Sequence, residues 1–256
     1  YPLDMLNNYD GQHILIEAMR RGYNDRAIHM GDQDFVNVPV SKLLSSSYAK
    51  ERSANINLSK ATKSRTMPSV TSISEEGTET THFSIIDKYG NRVAATLSIN
   101  TTFGSGFVAG NTGVLLNNHM NDFVLTPNSP NIYGLVGNTK NSIEPGKRPL
   151  SSMSPTFVED DRGVLVIGTP GGSRIISMVI LGILEYLKEP KPNLQNIVSK
   201  PRLHHQYLPD HIFVEPEGFS EKWIQTMETK GHKVVRVKKK WGNMQAVLFN
   251  KSTNNK

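Results

Sequence analysis

The segment that most constrains this chain runs from Thr80 to Leu97. Phe83 and Ile85, and then Val93 to Leu97, are apolar runs separated by Asp87-Lys88-Tyr89-Gly90-Asn91, the pattern of two strands joined by a turn. Upstream, from Asn55 to Glu79, Ser, Thr, Lys and Glu dominate with little hydrophobic periodicity, which reads as a polar, mobile linker. The linker therefore meets a strand at Thr80-Thr81. Cleavage before Thr80 would put a hydroxyl and a free α-amino group on one residue. That amine, with an unperturbed pKa of roughly 7.7–8, can act as base for its own hydroxyl. Taken alone, Thr80-Thr81 fits an ordinary strand that opens on threonine better than it fits a nucleophile.

The flanking sequence supplies further elements. Residues 11 to 22, apolar at Ile14, Leu15, Ala18 and Met19 and closing on Arg20-Arg21-Gly22, read as an amphipathic helix stopped by the glycine. Gly31-Asp32-Gln33-Asp34 reads as a turn, and Ser41 to Lys50 as a short helix capped by Ser41. After the hairpin, Ser98-Ile99-Asn100-Thr101-Thr102-Phe103-Gly104 runs into a small-residue loop. Val114 to Phe123 reads as another strand, ending in the polar cluster Asn117-Asn118-His119-Met120-Asn121-Asp122. That cluster is either a turn or a binding site. Residues 124 to 149 form a long Pro-, Asn- and Gly-rich loop of the length that is usually functional.

Further on, Thr156-Phe157-Val158 and Val164 to Ile167 read as strands. Ile175 to Leu187 is a helix with a wide apolar face, preceded by Gly168-Thr169-Pro170-Gly171-Gly172-Ser173-Arg174. Glycines at a helix start offer backbone N–H donors to a phosphate, a carboxylate or an oxyanion; the spacing is not that of a Walker loop, and a plain tight turn fits it too. Residues 219 to 230, with Ile224 and Met227 on one face, read as a helix. Val234 to Val237 and Met244 to Phe249 read as closing strands, and Lys251 to Lys256 as a frayed tail.

Composition excludes several functions. With 256 residues the chain can bury a sizeable core. The +6 formal charge comes from scattered basic residues, and the Lys238-Lys239-Lys240-Trp241 cluster reads as a solvated strand edge rather than a nucleic-acid contact. No cysteine is present, so disulfides and thiolate chemistry are excluded. There is no run of about 18 apolar residues to span a membrane. Neighbouring His204 and His205 point to opposite sides of a strand, so no metal site is expected. Tyr1-Pro2-Leu3-Asp4 is not a signal peptide, and the chain reads as starting partway through a longer protein.

Together these pieces resemble the γ-glutamyltransferase family. The matching residues are Thr80-Thr81-His82-Phe83-Ser84, Asn100-Thr101-Thr102-Phe103-Gly104, Leu115-Leu116-Asn117-Asn118 and Asp122-Phe123. Lys147-Arg148-Pro149-Leu150-Ser151-Ser152-Met153-Ser154-Pro155, Pro170-Gly171-Gly172-Ser173-Arg174, Pro201-Arg202 and His204-His205-Gln206 also match. The resemblance covers nearly the whole chain. It implies an α+β fold, the four-layer αββα sandwich of N-terminal-nucleophile hydrolases, here incomplete because the N-terminal part of the large subunit is absent. Residues 1–79 would be the C-terminal part of the large subunit, and residues 80–256 the small catalytic subunit.

The same resemblance implies a precursor that cuts itself between Glu79 and Thr80. Thr80 would then attack the γ-glutamyl amide of glutathione or related donors, with its α-amine as base and Ser98 orienting it. Gly171 and Gly172 would form the oxyanion hole. Asn100, His119 and Asp122 would surround the substrate α-ammonium, Ser151 and Ser152 would bind its carboxylate, and Tyr133 would sit on a lid loop. Water or an amino-acid or peptide amine would take the acyl group; no cofactor, metal or nucleic acid is implied, and the location would be periplasmic or secreted.

Three departures bear on this. His119 stands where relatives carry Gln or Glu, and Asn121 replaces an acid. The chain ends without the family's closing Ala-Ser-Asp-Pro-Arg segment. The large-subunit arginine for the substrate carboxylate must lie before Tyr1. An imidazole accepts a hydrogen bond only when neutral, so His119 near the substrate α-ammonium is expected to weaken donor binding as the pH falls toward 5. An acylase or poly-γ-glutamate-processing enzyme on the same scaffold, and a non-catalytic relative, are the alternatives.

Overall fold

The computed structural model describes residues 1–67, 79–126 and 129–251. Most of the expected tail, and residues 68–78 of the expected linker, lie outside these described residues. In chain order the helices are α1 (Tyr9–His29), α2 (Val40–Leu43), α3 (Ser46–Ser53), α4 (Ile175–Lys188), α5 (Leu194–Ser199) and α6 (Glu221–Thr229). The strands are β1 (Glu79–Ile86), β2 (Arg92–Asn100), β3 (Thr156–Asp160), β4 (Gly163–Gly168), β5 (Leu203–His204), β6 (Ile212–Val214), β7 (Val234–Arg236) and β8 (Gln245–Asn250). They form a β1-β2 hairpin and two three-stranded sheets, β3-β4-β8 and β5-β6-β7. The chain divides into two compact units.

The first unit takes Tyr1–Glu76, His119–Ser151 and Leu203–Lys238. Its centre is α1, whose N-terminus is capped by the Asn8 side chain accepting from the Gly11 N–H. Gly22 does not end this helix, contrary to the sequence reading. A helical glycine costs about 1 kcal/mol, and the burial of Tyr23 and Ala27 beyond it outweighs that cost. The helix expected from Ser41 to Lys50 is broken in two. Ser45, whose Oγ accepts from the Tyr48 N–H at 3.2 Å, caps the second piece, as serine does readily. The expected linker is docked over its first part: Ala61 N–H donates to the Lys230 carbonyl at 2.6 Å, and Ser64 is fully buried.

The second unit takes Gly77–Asn118, Ser152–Arg202 and Lys239–Lys256. All six residues of β4 are buried between antiparallel neighbours β3 and β8. Successive strand residues face opposite sides, and β4 uses both sides. Ile167 reaches α4, where a Cβ on Gly182 would lie 2.7 Å from the Ile167 Cδ1. The next residue, Gly168, lies against His82 of β1. Helix, sheet and hairpin therefore stack in that order. Trp241 is buried rather than part of a solvated edge: the Arg174 guanidinium lies 4.5 Å from its ring centroid, and Arg202 donates to its carbonyl at 3.1 Å.

The strand expected from Val114 to Phe123 is absent among the described residues. Only an isolated bridge, Val108↔Leu115, and a 3-10 turn from His119 to Asp122 occur there. Asn118 explains part of this, because its side chain accepts from the Thr101 N–H at 3.2 Å and donates to Thr101 Oγ1 at 2.7 Å. Such side-chain bonds compete with a strand ladder.

Candidate active site

The hairpin register puts Thr80 opposite Ser98 and Glu79 opposite Asn100, so β2 carries one extra residue, Ile99, opposite the Glu79–Thr80 peptide. Such bulges bend a strand and re-aim its side chains. Asn100 takes up the bend with φ 77°, a region that asparagine tolerates better than most residues. At this bulge Thr80 Oγ1 lies 2.9 Å from Ser98 Oγ, which accepts from the Asn100 N–H at 2.8 Å. Asn100 is 1% exposed, and its amide nitrogen donates to the Asn118 carbonyl at 3.1 Å.

Thr80 opens onto a cleft of about 420 Å³ lined also by His82, Ser84, Pro170, Asn243 and Gln245. Past Pro170, Gly171 and Gly172 have φ of 139° and 56°, values that glycine alone adopts without strain. A side chain on Gly171 would also collide with Met178 Cε, 2.4 Å from its Cβ position. The glycine pair is half-buried and starts the turn that leads into α4. Ser152, also in this unit, is half-buried, with its carbonyl accepting from Ser154 Oγ at 3.0 Å.

The other candidate residues lie in the first unit. A cavity of about 220 Å³ there is lined by Arg26, Asn121, Asp122, Asn131, Asn141 and Leu150. Burial pushes the Asp122 carboxyl above the ordinary aspartate range, and the His119 hydrogen bond and the His119 and Arg26 charges only partly pull it back. His119 Nδ1 is 2.7 Å from Asp122 Oδ2, so these two residues are partners of each other. Tyr133 is 6% exposed, and its carbonyl accepts from Gln206 at 2.9 Å. Ser151 is exposed. The segment before it is pinned by Arg148, whose backbone N–H, Nε and Nη2 donate to Asp32 at 2.8, 2.9 and 2.6 Å.

Sequence reasoning missed His82, Arg26 and the Arg148–Asp32 clamp. His82 carried a usable signal, since the residue two along a strand from Thr80 shares its face. The other two join residues more than ninety positions apart, which no local pattern reveals.

Residues 3–255 match the profile of the gamma-glutamyltranspeptidase family. The chain belongs to this family. Against the glutathione hydrolase proenzyme of Escherichia coli (strain K12), this family member is 44% identical over 240 residues, covering 93% of itself and 41% of the relative. The acylase ACY 1 proenzyme of Pseudomonas sp. (strain V22) is 34% identical over 242 residues, 94% of this chain and 40% of that one. The chain thus spans about two fifths of the length of these curated relatives. Among solved structures, an acivicin-inhibited gamma-glutamyltranspeptidase aligns with TM-score 0.65 and 41% identity, over 68% of this chain and 92% of that one. Like it, the chain has a mixed helix-and-sheet fold. Among the described residues no helix is long and apolar enough to cross a membrane.

Proposed function

We propose that the protein containing this chain is a γ-glutamyltransferase and glutathione hydrolase whose precursor cuts itself between Glu79 and Thr80. The observation that carries the reading is the Thr80–Ser98 hydroxyl pair at a bulge facing an open cleft, in a chain 44% identical to a glutathione hydrolase proenzyme. With the Ser98 O–H donated to Thr80 Oγ1, the Thr80 proton passes to the freed α-amine. Oγ1 then bonds to the γ-carbonyl carbon, the amide C–N bond breaks, and the proton leaves with the departing amine. Water, an amino acid or a peptide amine attacks the resulting ester. The N–H groups of Gly171 and Gly172 stabilise the oxyanion, an interaction typically worth about 2.7–4 kcal/mol of barrier.

In this reading Asp122 and Asn100 Oδ1 hold the donor α-ammonium, Ser151 and Ser152 its carboxylate, and the loop of Tyr133 covers it. An arginine from the rest of the large subunit completes the carboxylate site. Residues 1–79 belong to that large subunit and residues 80–256 to the small one, in a four-layer αββα sandwich located in the periplasm or secreted. One related gamma-glutamyltranspeptidase has critical roles for its C-terminus in autoprocessing and catalysis.

In addition, His119 hydrogen-bonds Asp122, an interaction that favours the Asp122 carboxylate. His119→Ala removes that help, so the Asp122 pKa rises further and less carboxylate remains at a given acid pH. The acid limb of kcat/KM for a γ-glutamyl donor is expected to move to higher pH. A limb that stays put in rate profiles between about pH 4 and 8 would exclude this role.

The acylase relative keeps a second reading in play, another amide donor on the same scaffold. Rates on a γ-glutamyl anilide, a glutaryl amide and polyglutamate separate the two, and an intact-mass spectrum tests the Glu79–Thr80 cut. Preferred turnover of the glutaryl amide, or no cut, would overturn the proposal.

A further inference from the structure

The His82 ring, two residues along β1 from the expected nucleophile, packs on Gly168, three residues before the expected oxyanion hole. We infer that His82 is a positioning residue, a spacer whose imidazole, packed on Gly168, sets the distance between Thr80 and the amides of Gly171 and Gly172. The inference rests on the reading of Thr80 and the glycine pair given above.

His82 is two residues along β1 from Thr80, hence on the same face, and is 5% exposed. Its orientation is fixed at both nitrogens: Nδ1 is 2.7 Å from Thr96 Oγ1, and Nε2 is 3.0 Å from Ser84 Oγ. Ser84 points its own proton at the Gln245 carbonyl, 3.5 Å away. The Thr96 and Ser84 hydroxyls can each donate or accept, so a neutral ring satisfies both contacts. Burial holds the His82 pKa below its usual value, which matches this neutral arrangement.

The flat side of this fixed ring lies on Gly168. A Cβ there would be 2.2 Å from His82 Cε1, 2.3 Å from Nδ1 and 2.6 Å from Nε2. Gly168 does not have the positive φ that would itself call for glycine. Its missing side chain is explained by the ring that fills the space. Gly168 ends β4, and only Thr169 and Pro170 separate it from Gly171. Thr169 is fully buried, with Oγ1 donating to the Pro170 carbonyl at 2.8 Å and accepting from the Asn243 N–H at 3.3 Å. His82, Gly168 and Thr169, on the path from Thr80 toward Gly171, are therefore each held by packing or hydrogen bonds.

A misplacement of about 1 Å costs on the order of 100-fold in rate. His82→Ala is expected to lower kcat by about that factor while KM changes less than about threefold, and to slow cleavage before Thr80. His82→Phe keeps the bulk and should retain more activity than His82→Ala. Gly168→Ala should be as damaging as His82→Ala, and the double variant Gly168→Ala/His82→Ala should recover about tenfold over Gly168→Ala alone, because the methyl then has room. Melting temperatures of the same four proteins should show the same compensation. Recovery in the double variant with KM unmoved upholds the inference. An unsubstituted full-length protein that neither cuts itself nor turns over a γ-glutamyl donor overturns both this inference and the proposed function. An active protein in which the two losses simply add, or in which His82→Ala keeps full kcat, overturns this inference alone.

Discussion

Thr80→Ala is expected to yield one uncut chain with no γ-glutamyl transfer or hydrolysis. The same hydroxyl is proposed to attack twice, first the Glu79 carbonyl and then the donor amide, so one substitution removes both steps. Loss of a nucleophile of this type typically lowers kcat by about 10⁶, which puts the residual rate below detection. Thr80→Ser should keep both steps at a reduced rate. The γ-methyl of threonine restricts χ1, and that restriction helps hold Oγ1 within 2.9 Å of Ser98; serine keeps the oxygen but loses the restraint. Intact mass and initial rates on a γ-glutamyl anilide decide the matter. A Thr80→Ala protein that is still cut and active would remove Thr80 from the mechanism.

The parts of this molecule that were legible in its sequence are those whose causes are local. The hairpin was, because Asp87 collects its own turn, accepting from the Tyr89 and Asn91 N–H groups at 2.8 and 2.9 Å, and that fixes the register opposite Ser98. Helix α6 was too, since Ser220 caps it through the Trp223 N–H at 3.1 Å. Misreadings arose where distant residues decide. Gly22 looked like a stop only because the burial of Tyr23 and Ala27 is a tertiary effect. Val114 to Phe123 looked like a strand because its apolar run ignored Asn118 bonding back to Thr101. Asn55 to Met67 looked like free linker because nothing in that stretch reveals Asp210, whose Oδ2 accepts from the Ser64 N–H at 2.8 Å. In the candidate site, motif matching named Asp122 and His119 but not that they bond to each other.

That docking of Ser64 belongs to a buried network in the first unit, and the network is expected to make this unit acid-labile. Arg20 donates to Ser64 Oγ at 2.6 Å, to Asp210 and to His232 Nδ1 at 3.3 Å. His13 Nε2–H donates to the Asn57 carbonyl at 2.9 Å, so His13 Nδ1 accepts from His232 Nε2–H at 2.8 Å. Each ring is thus held neutral, and a proton added to His232 Nδ1 would meet Arg20. Burial, together with the Arg20 charge, lowers His205 to about 4 and His232 to about 3. Below an unfolded-state value of about 6.5, the unfolded chain therefore binds more protons than the folded one. Stability is complete above that value and is lost as the pH falls toward the folded-state values. Burial alone would raise Asp210, but the His205 hydrogen bond and the Arg20 charge hold it well below the carboxylate range. Its contribution is present above about 4 and is lost only at lower pH, after the histidines. At pH 5 each histidine costs about 2 kcal/mol, less where the two are coupled. The melting temperature should therefore drop by about 10 °C between pH 7 and pH 5. His232→Asn removes one titrating group and should flatten that profile even if it lowers the value at pH 7. A melting temperature that does not change between pH 7 and pH 5 would mean that these histidines take up their protons without opening the network.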